Sequence, residues 1–425
     1  MELLDNPVRR YAWGSRTVIA DLLGREVPSP HPEAELWLGA HPGDPSYLVA
    51  ADGQRRSLFE EISRDPAGRL GEDGARRWEG RLPFLFKVLA AEEPLSLQAH
   101  PTEADAAAGY AREDAEGVPV DHSRRSYKDP NHKPELVCAL SEFHALTGFR
   151  EPATTVELLR ELDVPQLSGH VELLAGQPDQ HGLRALFSTW ITLPQGVLDQ
   201  LVPAVQEGCV GLLRRASSGE SATAARFIAE ARTVLELSER YPGDAGVLAA
   251  LLLNRVTLAP GEALFQDAGV LHAYLSGACI ELMANSDNVL RGGLTPKHVD
   301  VPELLRVLNF SAGPPPHVFG VTDGPVTRYD TKVEEFRLWR LDWANGNEGD
   351  MVSLPEAGPR IALCTAGSVK VSAGSGRSIN LRRGDSVWLD PKDVEVKAAS
   401  VDGPAQLFLA TDGLYRPAPS PERST

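Results

Sequence analysis

Apolar residues recur at every second position through most of this chain and at every third or fourth position in one long central stretch. These are the periods that separate strands from helices. The run Phe84-Leu85-Phe86-Lys87-Val88-Leu89-Ala90 is apolar apart from one lysine and reads as a buried strand. In Ala34 to Pro42, Glu35, Trp37, Gly39 and His41 alternate against Leu36 and Leu38, which predicts a strand with one polar–aromatic face. Leu95 to Pro101 puts Gln98 and His100 on one face, Glu135 leads into the apolar run Leu136 to Leu140, and Phe143 to Phe149 continues the sheet. Short helices are expected at Thr17 to Leu23, stopped by Gly24, and at Glu103 to Arg112, with one weak helical stripe through Leu58, Phe59 and Ile62. From Glu151 to about Leu253 the period changes, as in Val156, Leu158, Leu159 and Leu162, or Leu198, Leu201 and Val205. Several amphipathic helices in a row mark a helical insertion. Strand texture returns at Arg255 to Leu258 with a Pro260-Gly261 turn, and Ile379 to Leu389 has the same strand–glycine turn–strand form. On pattern alone the two regions look like related jelly-roll units.

At 425 residues, two or three domains are the default. The 33 prolines and 38 glycines agree with many turns between short strands. A net charge of -17 disfavours nucleic acid or an anionic membrane as partner. Cys138, Cys209, Cys279 and Cys364 lie far apart among apolar neighbours, without metal-knuckle or redox spacing, and read as buried thiols in a reducing compartment. Met1 to Asp5 shows no basic flank before an apolar core, so no signal peptide is expected. No run approaches the roughly 18 apolar residues of a spanning helix. A soluble, cytoplasmic protein is the expectation.

The candidate chemistry concentrates around Gln98, His100 and Glu135, which offer an amide oxygen, an imidazole and a carboxylate. One further imidazole would complete a zinc site with an open position, and His272 in Leu271-His272-Ala273-Tyr274 is the candidate. Glutamine is an uncommon ligand, and a Gln and a His on one strand equally describe a satisfied polar pair. The charged loop before Pro134 has the length and polarity of a rim closing over substrate. Between Ser286 and Lys297, polar residues and two glycines cluster around Arg291. The plain reading is a turn; the pattern also suits a bound anion such as phosphate. Glu35 and His41 line a cavity or face water with equal weight. His170 and His181 in the helical stretch, and His31, His122, His144, His298 and His317 elsewhere, read as non-ligands. No histidine follows His317, so the C-terminal strands cannot carry an imidazole-based site.

Tyr11 to Ser15, Glu35 to Pro42, Leu82 to Pro101, Asp129 to Glu135, Leu271 to Gly277 and Glu281 to Lys297 occur in an order that resembles the type I phosphomannose isomerases. These are zinc-dependent aldose–ketose isomerases of the cupin superfamily, and the matches span about the first three hundred residues. The resemblance implies a mainly β fold of cupin-type jelly rolls: a catalytic one in residues 1–150 and 255–320, and a C-terminal one in 321–416. A helical domain at 151–254 and a disordered tail at 417–425 complete the expected organisation. It implies one Zn2+ per chain on Gln98, His100, Glu135 and His272. Substrate handling and proton transfer fall to Glu35, Lys87, His132, Lys133, Tyr274, Glu281, Asp287 and Arg291. The implied partner is a small phosphosugar, with no nucleic acid or membrane, and a monomer is the working expectation.

The implied reaction interconverts D-mannose 6-phosphate and D-fructose 6-phosphate, moving one proton between C1 and C2 through a cis-enediol. Zinc beside the two oxygens would stabilise developing negative charge, and a base would take and return the proton. Lys133 or His132 belongs to that relay; a lysine base needs a depressed pKa, which desolvation and a nearby cation both favour. Glu281 is a candidate to hold a ligand imidazole. Asp287 and His132 are candidates for sugar-ring opening, and Arg291 for either the phosphate or the enediolate. The charged 112–128 segment departs from the plainest family pattern and bears on substrate preference. Two readings compete: a metal-dependent isomerase of a different phosphosugar, and a non-catalytic sugar-phosphate-binding protein. The second would have no need of Lys133, Tyr274 and Arg291.

Overall fold

The structure is a computed structural model that describes residues 1–344, 351–355 and 358–414. The 417–425 tail expected to be disordered lies outside the described residues. The apolar run becomes the strand Phe84–Ala91, and its alternation assigns two faces. Phe84, Phe86, Val88 and Ala90 enter an apolar core, together with Leu36, Leu38, Leu136, Cys138, Ile280 and Leu282 from neighbouring strands. The intervening residues, Glu35, Lys87, Glu135 and Glu281, therefore share the opposite face, and all are buried. Phe84–Ala91 pairs antiparallel with Glu35–Leu38 on one side and with His272–Ala284 on the other. His272–Ala284 pairs onward with Glu135–Ala139, and that strand pairs with Ala263–Gln266.

The strand His272–Ala284 changes partners along its length. Its second part lies between Phe84–Ala91 and Glu135–Ala139, while its first part pairs with Phe143–Phe149 and sets His272 opposite Gln98. The change falls at Gly277, with φ 107°, where a Cβ would stand 2.3 Å from the carbonyl oxygen of Glu142. Only glycine fits there.

Against the apolar face packs a nine-stranded sheet contributing Ile361, Leu363, Trp388 and Phe408 to the shared core. Its strands come mostly from beyond Val321, yet Glu2–Asp5 is inserted between Ser386–Leu389 and Tyr47–Val49. Helices from Pro152–Glu161 through Ala245–Ala250 occupy the central stretch. The longest, Gln195–Ser218, buries Leu198, Leu201, Val202, Val205, Cys209 and Leu212 along one stripe and ends at Gly219 in the left-handed region. This helical core also takes in Leu97, Ala99 and Leu271, so the helices pack behind the strand that carries Gln98 and His100.

The mainly β, jelly-roll expectation is overturned, and the cupin assignment falls with it. The fold is mixed α/β, and its eleven-, nine- and four-stranded sheets are open, none closing into a barrel among the described residues. Helices appear even where one weak stripe was the only signal, as Leu58–Arg64, Pro66–Leu70 and Glu72–Arg77. Period-two alternation reads the same in an open sheet as in a closed one. Closure depends on stagger and on which edge strands meet, both set by long-range pairing. Among the described residues no helix is long and apolar enough to cross a membrane.

Candidate metal centre and active site

His100, Glu135 and His272 converge, all buried, with their ligand atoms within 4.8 Å of one another. Hydrogen bonds assign the imidazole nitrogens. His100 Nδ1 lies 2.8 Å from the carbonyl oxygen of Asn288, and His272 Nδ1 lies 3.0 Å from that of Val270. A carbonyl oxygen only accepts, so each Nδ1 carries a hydrogen, and in the neutral ring Nε2 is then the atom with the lone pair. Those lone pairs face the Glu135 carboxylate, at 3.2 Å from His100 Nε2 to Oε1 and 3.5 Å from His272 Nε2 to Oε2. His100 Nε2 is buried with no hydrogen-bond partner among the described residues. Burial, aided by Lys133, lowers the His100 pKa to about 4, so its imidazole is neutral. Burial would raise Glu135, but the Lys133 charge outweighs it and holds the carboxyl well below its usual range. Lone pairs aimed at an ionised carboxylate repel unless a cation lies among them. Two imidazoles and a carboxylate make the donor set of an open zinc site, and each imidazole is oriented by a backbone carbonyl on its far side.

Gln98 stands directly opposite His272 in one ladder and opposite Arg291 in another. Directly opposed residues share a sheet face, so its amide is a neighbour of the His272 ring. The Tyr274 hydroxyl donates to Glu135 Oε2 at 3.0 Å, and Lys133 Nζ lies 3.1 Å from Glu135 Oε1. Burial and the Glu135 charge hold the Tyr274 hydroxyl well above its ordinary value, which keeps it a donor. Lys87 Nζ meets Glu281 Oε2 at 2.8 Å and Glu35 Oε1 at 3.9 Å. Burial disfavours the Lys87 charge, but Glu281, Glu35 and Glu135 together raise its pKa, so it is an ammonium. Glu281 was a candidate to hold a ligand imidazole; its partner is Lys87, and the imidazoles are held by main chain.

A cavity of about 800 Å³ is lined by His41, Lys128, Asn131, His132, Asp287 and Glu335, among others. The three metal donors do not line it. Its wall residues precede the centre in the chain, Asn131-His132 before Lys133 and Glu135, and Ser286-Asp287 before Asn288. His41 Nδ1 accepts from the Gly43 amide at 3.1 Å, which leaves Nε2–H for the Asp287 carboxylate at 3.3 Å. That bond lowers the Asp287 pKa. His132 Nε2 lies 2.8 Å from Glu335 Oε1. The Arg291 guanidinium is half-buried, and among the described residues it has no acidic partner.

Three contributors escaped the sequence reading. Asn288 lends its carbonyl to His100, while its fully buried side chain bonds the main chain of Lys128, Asp129 and Asn131. Gln266 faces Glu135 in the ladder and accepts from Thr147 at 2.8 Å. Glu335 reaches the cavity from beyond the last histidine. The polar cluster at 286–297 pointed towards Asn288; nothing local pointed towards the other two.

Open mixed sheets around a buried two-histidine, one-carboxylate centre beside a cavity define a metal-dependent enzyme. The model for the phosphomannose isomerase type I catalytic domain matches residues 1–152. The mannose-6-phosphate isomerase of Escherichia coli is 39% identical over 393 residues, covering 92% of this chain and 94% of its own. That of Homo sapiens is 33% identical over 399 residues, covering 90% and 91%. A crystal structure of a phosphomannose isomerase variant from Salmonella typhimurium superposes with a TM-score of 0.85 at 35% identity, over 97% of this chain and 100% of that one. A zinc-bound mannose 6-phosphate isomerase structure gives 0.84 at 35%, over 97% and 99%. The chain belongs to the type I mannose-6-phosphate isomerases.

Proposed function

We propose that this chain is a zinc-dependent aldose–ketose isomerase that interconverts D-mannose 6-phosphate and D-fructose 6-phosphate. The observation that carries this reading is the convergence of two imidazole Nε2 atoms on the Glu135 carboxylate, each ring held by a backbone carbonyl at its Nδ1. His100, Glu135 and His272 would hold the zinc, with Gln98 as fourth ligand. Bound there, zinc supplies a Lewis acid for the charge that develops on the substrate oxygens at C1 and C2.

The chain's own residues supply the proton chemistry and the positioning. Lys133, 3.1 Å from Glu135, is assigned the proton moved between C1 and C2. Tyr274 keeps Glu135 in place through its hydroxyl. Lys87, Glu281 and Glu35 form a fixed charged floor under the centre. Sugar-ring opening is assigned to the cavity wall. His132 gives a proton to the ring oxygen as the C1–O5 bond breaks, and the Asp287 carboxylate takes the proton of the C1 hydroxyl as C1=O forms. Opposed shifts support that division: Asp287 is pushed down by His41, while for His132 the Glu335 carboxylate outweighs burial and raises the pKa. Arg291 is assigned the substrate's negative charge, because among the described residues its guanidinium lacks an acidic partner and its strand partner is Gln98. A cytoplasmic location fits the four cysteines, all free and buried.

The test is isomerisation of mannose 6-phosphate by purified protein before chelation, after it, and after zinc is restored. Turnover should vanish on chelation and return with zinc. Absence of turnover in folded, zinc-loaded protein would overturn the substrate assignment and turn the search to other phosphosugars.

A further inference from the structure

We propose that Glu335 is a positioning residue for His132, so that the C-terminal sheet completes the active-site cavity. This rests on the proton-donor role given to His132 above. Glu335 lies 203 positions beyond His132, immediately before the strand Arg337–Trp343 of the nine-stranded sheet. Its Oε1 lies 2.8 Å from His132 Nε2, and both side chains are mostly buried, at 15% and 23% exposed. The segment bearing it is held on each side. Phe336 is fully buried in the core between the sheets. Glu334 pairs with Arg77 at 3.1 Å, and its carbonyl accepts from the Gly413 amide at 2.8 Å. Arg77 and Glu335 line the same cavity as His132.

The chemistry of the contact follows from its atoms. An ionised carboxylate only accepts, so Nε2 carries a hydrogen and is committed to Glu335. Nδ1 is then the nitrogen that exchanges a proton with substrate, and Glu335 sets both the rotation of the ring and the identity of that atom, as an orienting acid does for a catalytic histidine. The charges that weigh most on His132 are Glu335, Glu103 on the helix Glu103–Ala115, and Asp267 in the turn after Ala263–Gln266, while the cations Arg77, Arg81 and Lys128 line the same cavity and Arg77 acts on Glu335. Burial opposes the three carboxylates, and Glu335, the nearest, is the largest opposing influence.

The experiment compares zinc-loaded wild type, Glu335→Gln and Glu335→Asp in kcat, KM and zinc content across pH. A general acid must be protonated, so activity falls as pH rises through the His132 pKa. Without the Glu335 charge that alkaline limb should move down by about one pH unit. In Glu335→Gln, kcat near neutrality should fall about tenfold or more at unchanged KM and zinc content. Glu335→Asp should recover part of the loss. A Glu335→Gln enzyme with wild-type kcat and pH profile would overturn the proposal. If zinc-loaded wild type fails to isomerise mannose 6-phosphate, the functional reading fails instead. The pairing is then read from the His132 imidazole by NMR: a downward shift of its titration in Glu335→Gln supports the proposal, and no shift overturns it. If Glu335→Gln does not fold, wild type decides, a His132 pKa above the ordinary value of about 6.5 supporting the contact and one below it refuting it.

Discussion

Around Arg69, at the end of the nine-stranded sheet, every buried charge has its complement. Arg69 donates to Asp390 at 2.9 Å, to Glu61 at 2.8 Å and to Glu2 at 3.2 Å, while Asp390 also accepts from the Trp388 indole at 3.0 Å. Donors and acceptors alternate, and the rigid guanidinium fork matches the carboxylates. Around Glu135 the composition is similar and the arrangement is not. There Lys133 and Tyr274 already serve the carboxylate that two imidazoles also face, and His100 Nε2 is left without a hydrogen-bond partner among the described residues. Burial and charge are common to both regions. The direction of the lone pairs is what separates a cluster that holds the fold from one that holds a ligand.

The sharpest way to break this contrast is Glu135→Gln. It keeps the shape, removes the anionic donor, and should lower both zinc content and turnover; losing several kcal/mol of charge stabilisation corresponds to about a thousandfold. Parallel zinc analysis and isomerisation assays read it out, and retention of stoichiometric zinc with normal turnover would refute the assigned centre. Lys133→Ala should separate chemistry from metal. Turnover should drop by roughly 10² to 10⁴ while zinc stays bound, because a proton-transfer group is removed and no donor is. Near-normal turnover would remove Lys133 from the mechanism.

Arg69→Met tests the other half of the comparison. It takes the close cation from buried Asp390, while Arg56 still serves Glu2 and Glu61, and should cost about 3–5 kcal/mol in denaturant unfolding, with kcat of the remaining folded enzyme unchanged. A variant as stable as wild type would show that this cluster does not hold the fold. The smallest effect is expected at Asp412, whose Oδ1 is buried without a hydrogen-bond partner among the described residues. Burial pushes its carboxyl up to about 7 from 3.8, opposed only in part by the Leu414 amide and Arg337. The folded chain therefore holds that proton more tightly than the unfolded chain. Its stabilising effect is complete at acid pH and is lost as pH rises towards 7. Asp412→Asn should raise Tm by a few degrees at pH 8 and leave it unchanged at pH 4. An equal gain at both values would mean the effect is not electrostatic.

Much of the centre was legible along the chain because its donors lie in segments whose local pattern is strong. Gln98 and His100 alternate with Leu97 and Ala99, and Glu135 and His272 each open an apolar strand. Glu335 was not legible. It sits among residues with no histidine nearby, and its meaning comes from a partner 203 positions away. The jelly-roll expectation failed for a related reason: alternation identifies which face of a strand is apolar, and says nothing about whether the last strand of a sheet returns to the first.

By itself, the sequence determined the period of each element, and hence which face of Phe84–Ala91, Glu135–Ala139 and His272–Ala284 would be apolar and which would carry charge. That information is local, because neighbouring side chains on a strand point to opposite sides whatever else the chain does. The tertiary structure alone decided that the sheets stay open, that main-chain carbonyls hold the imidazoles with their lone pairs facing Glu135, and that a glutamate from the far sheet reaches His132. Apart from the local bond between His272 and the Val270 carbonyl, each of these depends on atoms distant in the chain, where geometry follows from packing and pairing rather than from any local pattern.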